Sequence, residues 1–288
     1  MKNIKKLPLI LSILSMLTLF ISANAEIKVV TSIKPIHSLA SYLMDGIGKP
    51  GLIVDGYASP HSFSMKPSHA KMLQNADIVF WVGEGMENFL KKPLSSIAKK
   101  AEKIELMEVK GLNILKFRER NIFDEHNHDD HDDHAKKEDD HDDHDHDDHA
   151  KKEDDHEGHA HGEYDPHIWL DPMNAKVILN EMAEHLIEND TKNAPKYKNN
   201  LKKALIEIDT LTIQVMTELN KSVSSIVFHD AYQYFEQRFN VNILGAFTVN
   251  ADVMPGAEQL AEIREIIEHE KVTCIFSEPQ FNPAIIKA

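Results

Sequence analysis

One long amphipathic run constrains this chain more than any other feature. From about Ala194 to Asn220, the residues Tyr197, Leu201, Leu205, Ile208, Leu211, Val215 and Leu219 recur on one side at helical spacing. At 1.5 Å per residue such a helix is about 40 Å long. It stands between two sets of short apolar segments, so it can act as a rigid backbone joining them. A flexible hinge needs loop residues, and this run offers few.

The two flanking sets read alike. Before the run, β-branched apolar segments at Lys28–Ser32, Leu52–Asp55, Ile78–Val82 and Ile104–Val109 predict strands, with helices over Pro35–Leu43, Pro67–Asn75 and Gly85–Lys100. A further helix follows Asp171-Pro172, where Ala175, Ile178, Leu179, Met182, Ala183, Leu186 and Ile187 form a stripe on one face. After the run, Ser225–Phe228, Val241–Leu244 and Val272–Phe276 predict strands, and Ala231–Phe239 and Ala257–His269 helices. Strands alternating with helices indicate parallel sheets. The expected fold class is therefore α/β: two Rossmann-like lobes, residues 26–190 and 223–288, joined by a linker helix within 191–222. The second set is one strand short of the first, and Asn282-Pro283 reads as the start of a helix that stops within two turns. A C-terminal lobe lacking its last elements is expected.

The N-terminus is basic at Lys2, Lys5 and Lys6, runs apolar from Leu7 to Ile21, and reaches Ser22-Ala23-Asn24-Ala25. That pattern predicts a cleaved signal peptide over residues 1–25, since the apolar run is shorter than the roughly 20 residues of a spanning helix. No cysteine stands directly after the cleavage site, so the exported protein is expected to be soluble, most simply in a periplasm. Cys274 is the single cysteine, and in an oxidising compartment an odd cysteine suggests a missing partner or a free thiol.

The formal charge of −15 is confined to one place. Residues 124–165 hold 20 Asp/Glu against 4 Lys, which leaves 28 Lys/Arg against 27 Asp/Glu in the rest of the chain. With no basic stripe, nucleic-acid binding has no electrostatic footprint. Within this insert, His131-Asp132-Asp133-His134-Ala135-Lys136-Lys137-Glu138-Asp139-Asp140-His141 recurs letter for letter at His146–His156. Eleven of the 18 histidines fall here: His126, His128, His131, His134, His141, His144, His146, His149, His156, His159 and His161. With almost no apolar residues the segment cannot offset its ordering entropy, so a disordered surface loop with low-affinity metal binding is expected.

Seven histidines lie elsewhere, and three share a position. His61 follows a predicted strand and turn, His167 sits in Asp165-Pro166-His167-Ile168-Trp169-Leu170 just before a helix, and His229 ends the strand Ser225–Phe228. Ligands of open α/β sheets bind outside the carboxyl ends of strands. Three neutral imidazoles drawn from both lobes make a nitrogen set suited to zinc. A lone histidine at a strand end is more often structural, and only the His-rich insert raises the three together. His37, at the start of the first helix and near the presumed cleft, is kept as a possible auxiliary ligand. His69, His185 and His269 read as structural.

The chain also resembles a known family, the periplasmic zinc-binding subunits of bacterial high-affinity zinc ABC importers. The likeness is carried by Thr31-Ser32-Ile33-Lys34-Pro35, Ala58-Ser59-Pro60-His61, Asn75-Ala76-Asp77, His167-Ile168-Trp169-Leu170-Asp171-Pro172, Phe228-His229-Asp230-Ala231-Tyr232 and Ser277-Glu278-Pro279-Gln280-Phe281, with the acidic His-rich insert ahead of His167. The resemblance implies two lobes bridged by a long helix and Zn2+ ligands at His61, His167 and His229. It also implies a membrane permease and an ATPase as partners; the protein itself is expected to be a monomer without enzymatic activity. The family's manganese branch usually carries Glu where His229 stands. Relatives with a disulfide pair the Cys274 position with a later cysteine that this chain lacks. Some zinc-branch relatives place Glu before the first ligand histidine, where this chain has Pro60. The fourth coordination position is thereby left to water or an insert histidine, with Glu278 a weaker candidate, more naturally second to the ligands or structural. The alternatives are a manganese- or iron-binding member of the same family, and a zinc-dependent hydrolase. The hydrolase lacks a His-Glu-x-x-His helix or any comparable embedded base.

Overall fold

The computed structural model describes residues 26–118, 120–123, 163–249 and 255–281. The expected signal peptide, the His-rich insert with its eleven histidines and the helix expected from Pro283 lie outside the described residues. No described helix is long and apolar enough to cross a membrane.

The first sheet contains β1 (Val29–Thr31), β2 (Gly51–Leu52), β3 (Ile78–Trp81) and β4 (Glu102–Glu105) in the order β2-β1-β3-β4, all parallel. The two central strands are buried at every residue, as their unbroken Val-Val-Thr and Ile-Val-Phe-Trp runs require of strands covered on both faces. Helices α1 (Lys34–Leu43), α2 (Pro67–Gln74), α3 (Lys91–Ser96), α4 (Pro172–Asn189) and α5 (Ala194–Glu218) accompany it. Helix α1 has proline in its first turn and buries Ile36, Ala40 and Leu43, one stripe at helical spacing. Helix α4 begins where Asp171 accepts a hydrogen bond from the Met173 amide at 2.8 Å and Pro172 supplies a compatible φ. Its expected stripe is buried from Ala175 to Leu186.

Helix α5 is the long run. Its first half packs on α4 and α1, with Tyr197 and Ala204 buried and the Asn200 amide donating to the Leu43 and Asp45 carbonyls at 2.9 and 3.0 Å. The second half leaves that core: Leu211, on the expected apolar side, is 55% exposed.

The second sheet is parallel with order β6-β5-β7, from β5 (Ser224–His229), β6 (Asn242–Thr248) and β7 (Cys274–Phe276). Helices α6 (Gln233–Phe239) and α7 (Ala257–His269) belong to it. Cys274 is a free thiol on β7.

Several boundaries depart from the sequence pattern. The helix expected over Gly85–Lys100 shrinks to α3 and a preceding 3-10 turn, Asn88–Leu90. The amides of Met86 and Glu87 close a turn on the Gly83 carbonyl, and the Glu87 carboxylate accepts from the Val82 and Gly83 amides at the end of β3. The chain is thus tied down where the helix was expected to begin. The strand expected over Ile104–Val109 ends at Glu105, followed by a 3-10 turn over Leu106–Glu108. Strand β6 runs four residues beyond its expected end at Leu244, through Gly245 to Thr248.

The extension pairs with β5, Val227 beside Ala246 and His229 beside Thr248, and a neighbour the sequence did not advertise lies along it too. Residues 121–123, placed in the first lobe by their order in the chain, lie against β6: Ala246 donates to the Asn121 carbonyl at 2.8 Å and Phe123 to the Leu244 carbonyl at 2.9 Å. A β-carbon at Gly245 would sit 2.6 Å from that Asn121 carbonyl oxygen, so the close approach needs glycine. Just beyond the insert the chain returns to the first lobe, where Phe117 donates to the Glu163 carbonyl at 3.2 Å and Asp165 to the Leu115 carbonyl at 2.8 Å.

Candidate metal centre

The carboxyl ends of both sheets face one cleft. After β2 the chain stays extended, with Ile53 and Val54 donating to the Thr31 and Ser32 carbonyls at 3.0 and 2.9 Å. It then turns at Gly56, whose φ of +69° favours glycine, and the Ser59 hydroxyl accepts from the His61 amide at 3.3 Å. This loop presents His61, half-buried, at the cleft. Its rim is held by Lys34, which donates to the Gly56 carbonyl and lies 5.7 Å from the centre of the exposed Tyr57 ring.

His167 precedes a 3-10 turn, Ile168–Leu170, that leads into the capped start of α4. His229 is the last residue of β5. Both rings are buried, each 5% exposed. Ring centroids lie 5.7 Å apart for His61 and His167, 6.0 Å for His61 and His229, and 5.4 Å for His167 and His229. One nitrogen from each ring lies within 4.8 Å of the others. With zinc–nitrogen bonds of about 2.0 Å, tetrahedral ligand nitrogens sit about 3.3 Å apart. Small rotations of side chains close that difference.

Two carboxylates back these rings. Asp165 Oδ1 lies 2.6 Å from His167 Nδ1 and also accepts from the His167 amide at 3.0 Å. Glu278 Oε1 lies 2.8 Å from His229 Nδ1, and the same half-buried carboxylate also interacts with the Tyr232 hydroxyl. Burial, and then the nearby His167, push His229 below the ordinary imidazole pKa, while Glu278 pulls the other way. The neutral ring, the form that can donate a lone pair to a metal, is therefore favoured.

Around the histidines the cleft encloses about 340 Å³ and is lined largely by apolar groups, among them Ile33, Val54, Met86, Trp169, Leu170 and Tyr232. Behind it, charged pairs fasten one lobe to the other. Arg118 reaches Asp230 Oδ1 at 2.9 Å and Glu236 Oε2 at 2.6 Å, and stacks 3.8 Å from the Phe123 ring centre. Arg238 grips Asp171 with two nitrogens at 2.7 and 2.6 Å. Burial pushes Asp230 up to about 6, with Arg118 opposing the rise.

The sequence-derived candidates separate cleanly. His61, His167 and His229 come together, the one group of three or more potential metal-holding side chains found among the described residues. Glu278 lines the cleft but falls outside that cluster, behind His229. His37 does not face the cleft: its Nε2 meets the Pro50 carbonyl at 3.2 Å and its Nδ1 the Ser41 hydroxyl at 3.4 Å. Helix α1 points His37, in its first turn, at the chain entering β2, which the order of residues alone did not reveal. His185 contacts two carboxylates, Glu102 at 2.8 Å and Glu181 at 3.2 Å, and His69 Nδ1 accepts from the Lys66 amide at 3.1 Å. Asp165 was missed, although its place two residues before His167 was a usable signal. Arg118, Gln233, Tyr234 and Arg238 carried none.

Two parallel α/β units facing a shared cleft define a two-lobed solute-binding protein. Comparison with known proteins gives the particular kind. The chain belongs to the family described as zinc-uptake complex component A, periplasmic, whose model matches residues 29–288. It is 46% identical over 262 residues to the high-affinity zinc uptake system protein ZnuA of Brucella abortus (strain 2308), covering 90% of this chain and 78% of that one. The corresponding protein of Yersinia pestis is 36% identical over 269 residues, covering 92% and 79%. Among solved structures, a crystal structure of ZnuA superposes with a TM-score of 0.67 at 20% identity, covering 91% of this chain and 86% of the other. The AdcAII protein of Streptococcus pneumoniae superposes with a TM-score of 0.65 at 21% identity, covering 91% and 85%. At such identities the structural likeness speaks to the fold alone.

Proposed function

We propose that this protein captures Zn2+ in the periplasm at His61, His167 and His229 and delivers it to the permease and ATPase of an ABC importer. The observation that carries this reading is the convergence of one nitrogen from each of three rings, drawn from both lobes, to within 4.8 Å. Imidazole nitrogens suit zinc; manganese prefers oxygen ligands, and the carboxylates here stand behind the rings. The protein acts by binding, as its family does, and zinc is its cargo rather than a resident catalytic group. Residues 1–25 are removed on export, and the exported chain works as a monomer. The insert acts as a low-affinity collector, since its eleven histidines lie in the stretch bounded by Phe123 and Glu163, close in sequence to His167.

Competition titration of zinc and manganese against a chelator tests the assignment. Zinc is expected to bind far more tightly than manganese, and His61→Ala, His167→Ala and His229→Ala each to lower zinc affinity at least tenfold. Equal affinity for the two metals, or three variants that bind zinc as before, would refute it.

A further inference from the structure

We propose that Asp165 is the positioning residue for His167 and that the second lobe, through Gln233 and Tyr234, sets its aim. The inference rests on His167 being a zinc ligand. Asp165 is fully buried and stands at a three-way junction. Its own amide donates to the Leu115 carbonyl at 2.8 Å in the first lobe. Its carboxylate meets His167 Nδ1 at 2.6 Å through Oδ1, and Gln233 Nε2, at the start of α6, lies 3.4 Å from Oδ2. Its carbonyl accepts from the Tyr234 hydroxyl at 2.7 Å, and that hydroxyl in turn accepts from the Leu115 amide at 3.1 Å. Gln233 also donates to the Lys116 carbonyl at 2.9 Å.

A carboxylate on Nδ1 keeps the ring proton there and leaves Nε2 as the lone pair for the metal. The His167 amide holds Oδ1 from within the first lobe, but Oδ2 and the Asp165 carbonyl are held by Gln233 and Tyr234, which come from the other lobe. His167 is therefore aimed by the contact between lobes. Parting the lobes loosens the aim of one ligand, so zinc can be released without being pulled from three fixed ligands at once.

Nitrogen NMR of His167, read with zinc dissociation kinetics, tests this. In the unaltered protein His167 is expected to be the Nδ1–H tautomer, with zinc shifting its Nε2 resonance. Asp165→Asn should mix the tautomers and weaken zinc binding by about ten- to a hundredfold. Tyr234→Phe leaves the carboxylate in place and removes one hydroxyl, so it carries the test even if Asp165→Asn does not fold. It should speed zinc dissociation severalfold and admit the second tautomer, while the metal-free protein keeps its cooperative unfolding. A single Nδ1–H tautomer and unchanged zinc kinetics in Tyr234→Phe would overturn the role of the second lobe. Unchanged affinity in a folded Asp165→Asn would overturn that of the carboxylate. Zinc that leaves the His167 Nε2 resonance unmoved in the unaltered protein would instead strike down the ligand assignment beneath both.

Discussion

His229 and Glu87 show how burial sets charge at single residues, with opposite consequences. Burial holds His229 neutral below the ordinary imidazole range. Protons compete with zinc for imidazole nitrogen, so affinity must fall as pH falls, but His229 joins that competition late. At about one pH unit below 6.5, the number of protons displaced per zinc bound should fall short of the nearly three expected for three ordinary imidazoles. The pH dependence of the zinc dissociation constant measures it, and a count of nearly three there would contradict the burial argument. Glu87 is wholly buried and its carboxyl is raised to about 7, desolvation outweighing the amides of Val82 and Gly83. The folded protein then binds a proton that the unfolded chain gives up near pH 4.5. The resulting stability is complete below that value and is lost as pH rises through about 7. Glu87→Gln should flatten this slope and gain up to about 3 kcal/mol at pH 8 relative to the unaltered protein. Urea unfolding at pH 5 and pH 8 measures the change; identical slopes for the two proteins would contradict it.

Elements were legible where local pattern and burial coincide. The stripe of α4 is buried as its spacing predicted, and the unbroken apolar runs of β1 and β3 became central strands. Periodicity tells which side of a helix is apolar, but not what covers it. Leu211 shows this on α5, and His37 on α1, where the ring meets Pro50 instead of the cleft. The ties between lobes left no local trace at all, because Arg118 and Asp230 are 112 residues apart and Arg238 and Asp171 are 67. Those ties are open to test at this scale. Arg118→Ala would leave Asp230 and Glu236 buried without their partner, at a cost of about 3 kcal/mol, the lower end of the range because the guanidinium keeps some exposure. Gly245→Ala would drive a methyl group into the Asn121 carbonyl. Its expected cost is about 1–3 kcal/mol, with faster hydrogen exchange at Ala246, whose amide bonds to that carbonyl. Normal protection of Ala246 in that variant would show that the contact is dispensable.

At the scale of the whole molecule, three histidines that were each unremarkable in the sequence acquire meaning because two lobes bring them to one cleft. The sequence pattern placed each at the end of a strand or the mouth of a helix, but only the His-rich insert, and then the family resemblance, raised the three together; their common distance and the carboxylates behind them needed three dimensions. The insert is the main obstacle to a clean measurement, since the eleven histidines proposed to collect zinc would add to the count. Removing residues 126–161 should lower the total zinc bound while keeping one tight equivalent, because the Phe117–Glu163 and Phe123–Leu244 backbone contacts stay intact. Metal analysis of that shortened protein after dialysis against a weak chelator, beside the same protein carrying His61→Ala, His167→Ala and His229→Ala, is the most direct test. One zinc per chain in the first and none in the second is predicted. A tightly held zinc in the triple variant, or none in either protein, would contradict the assignment of the cleft.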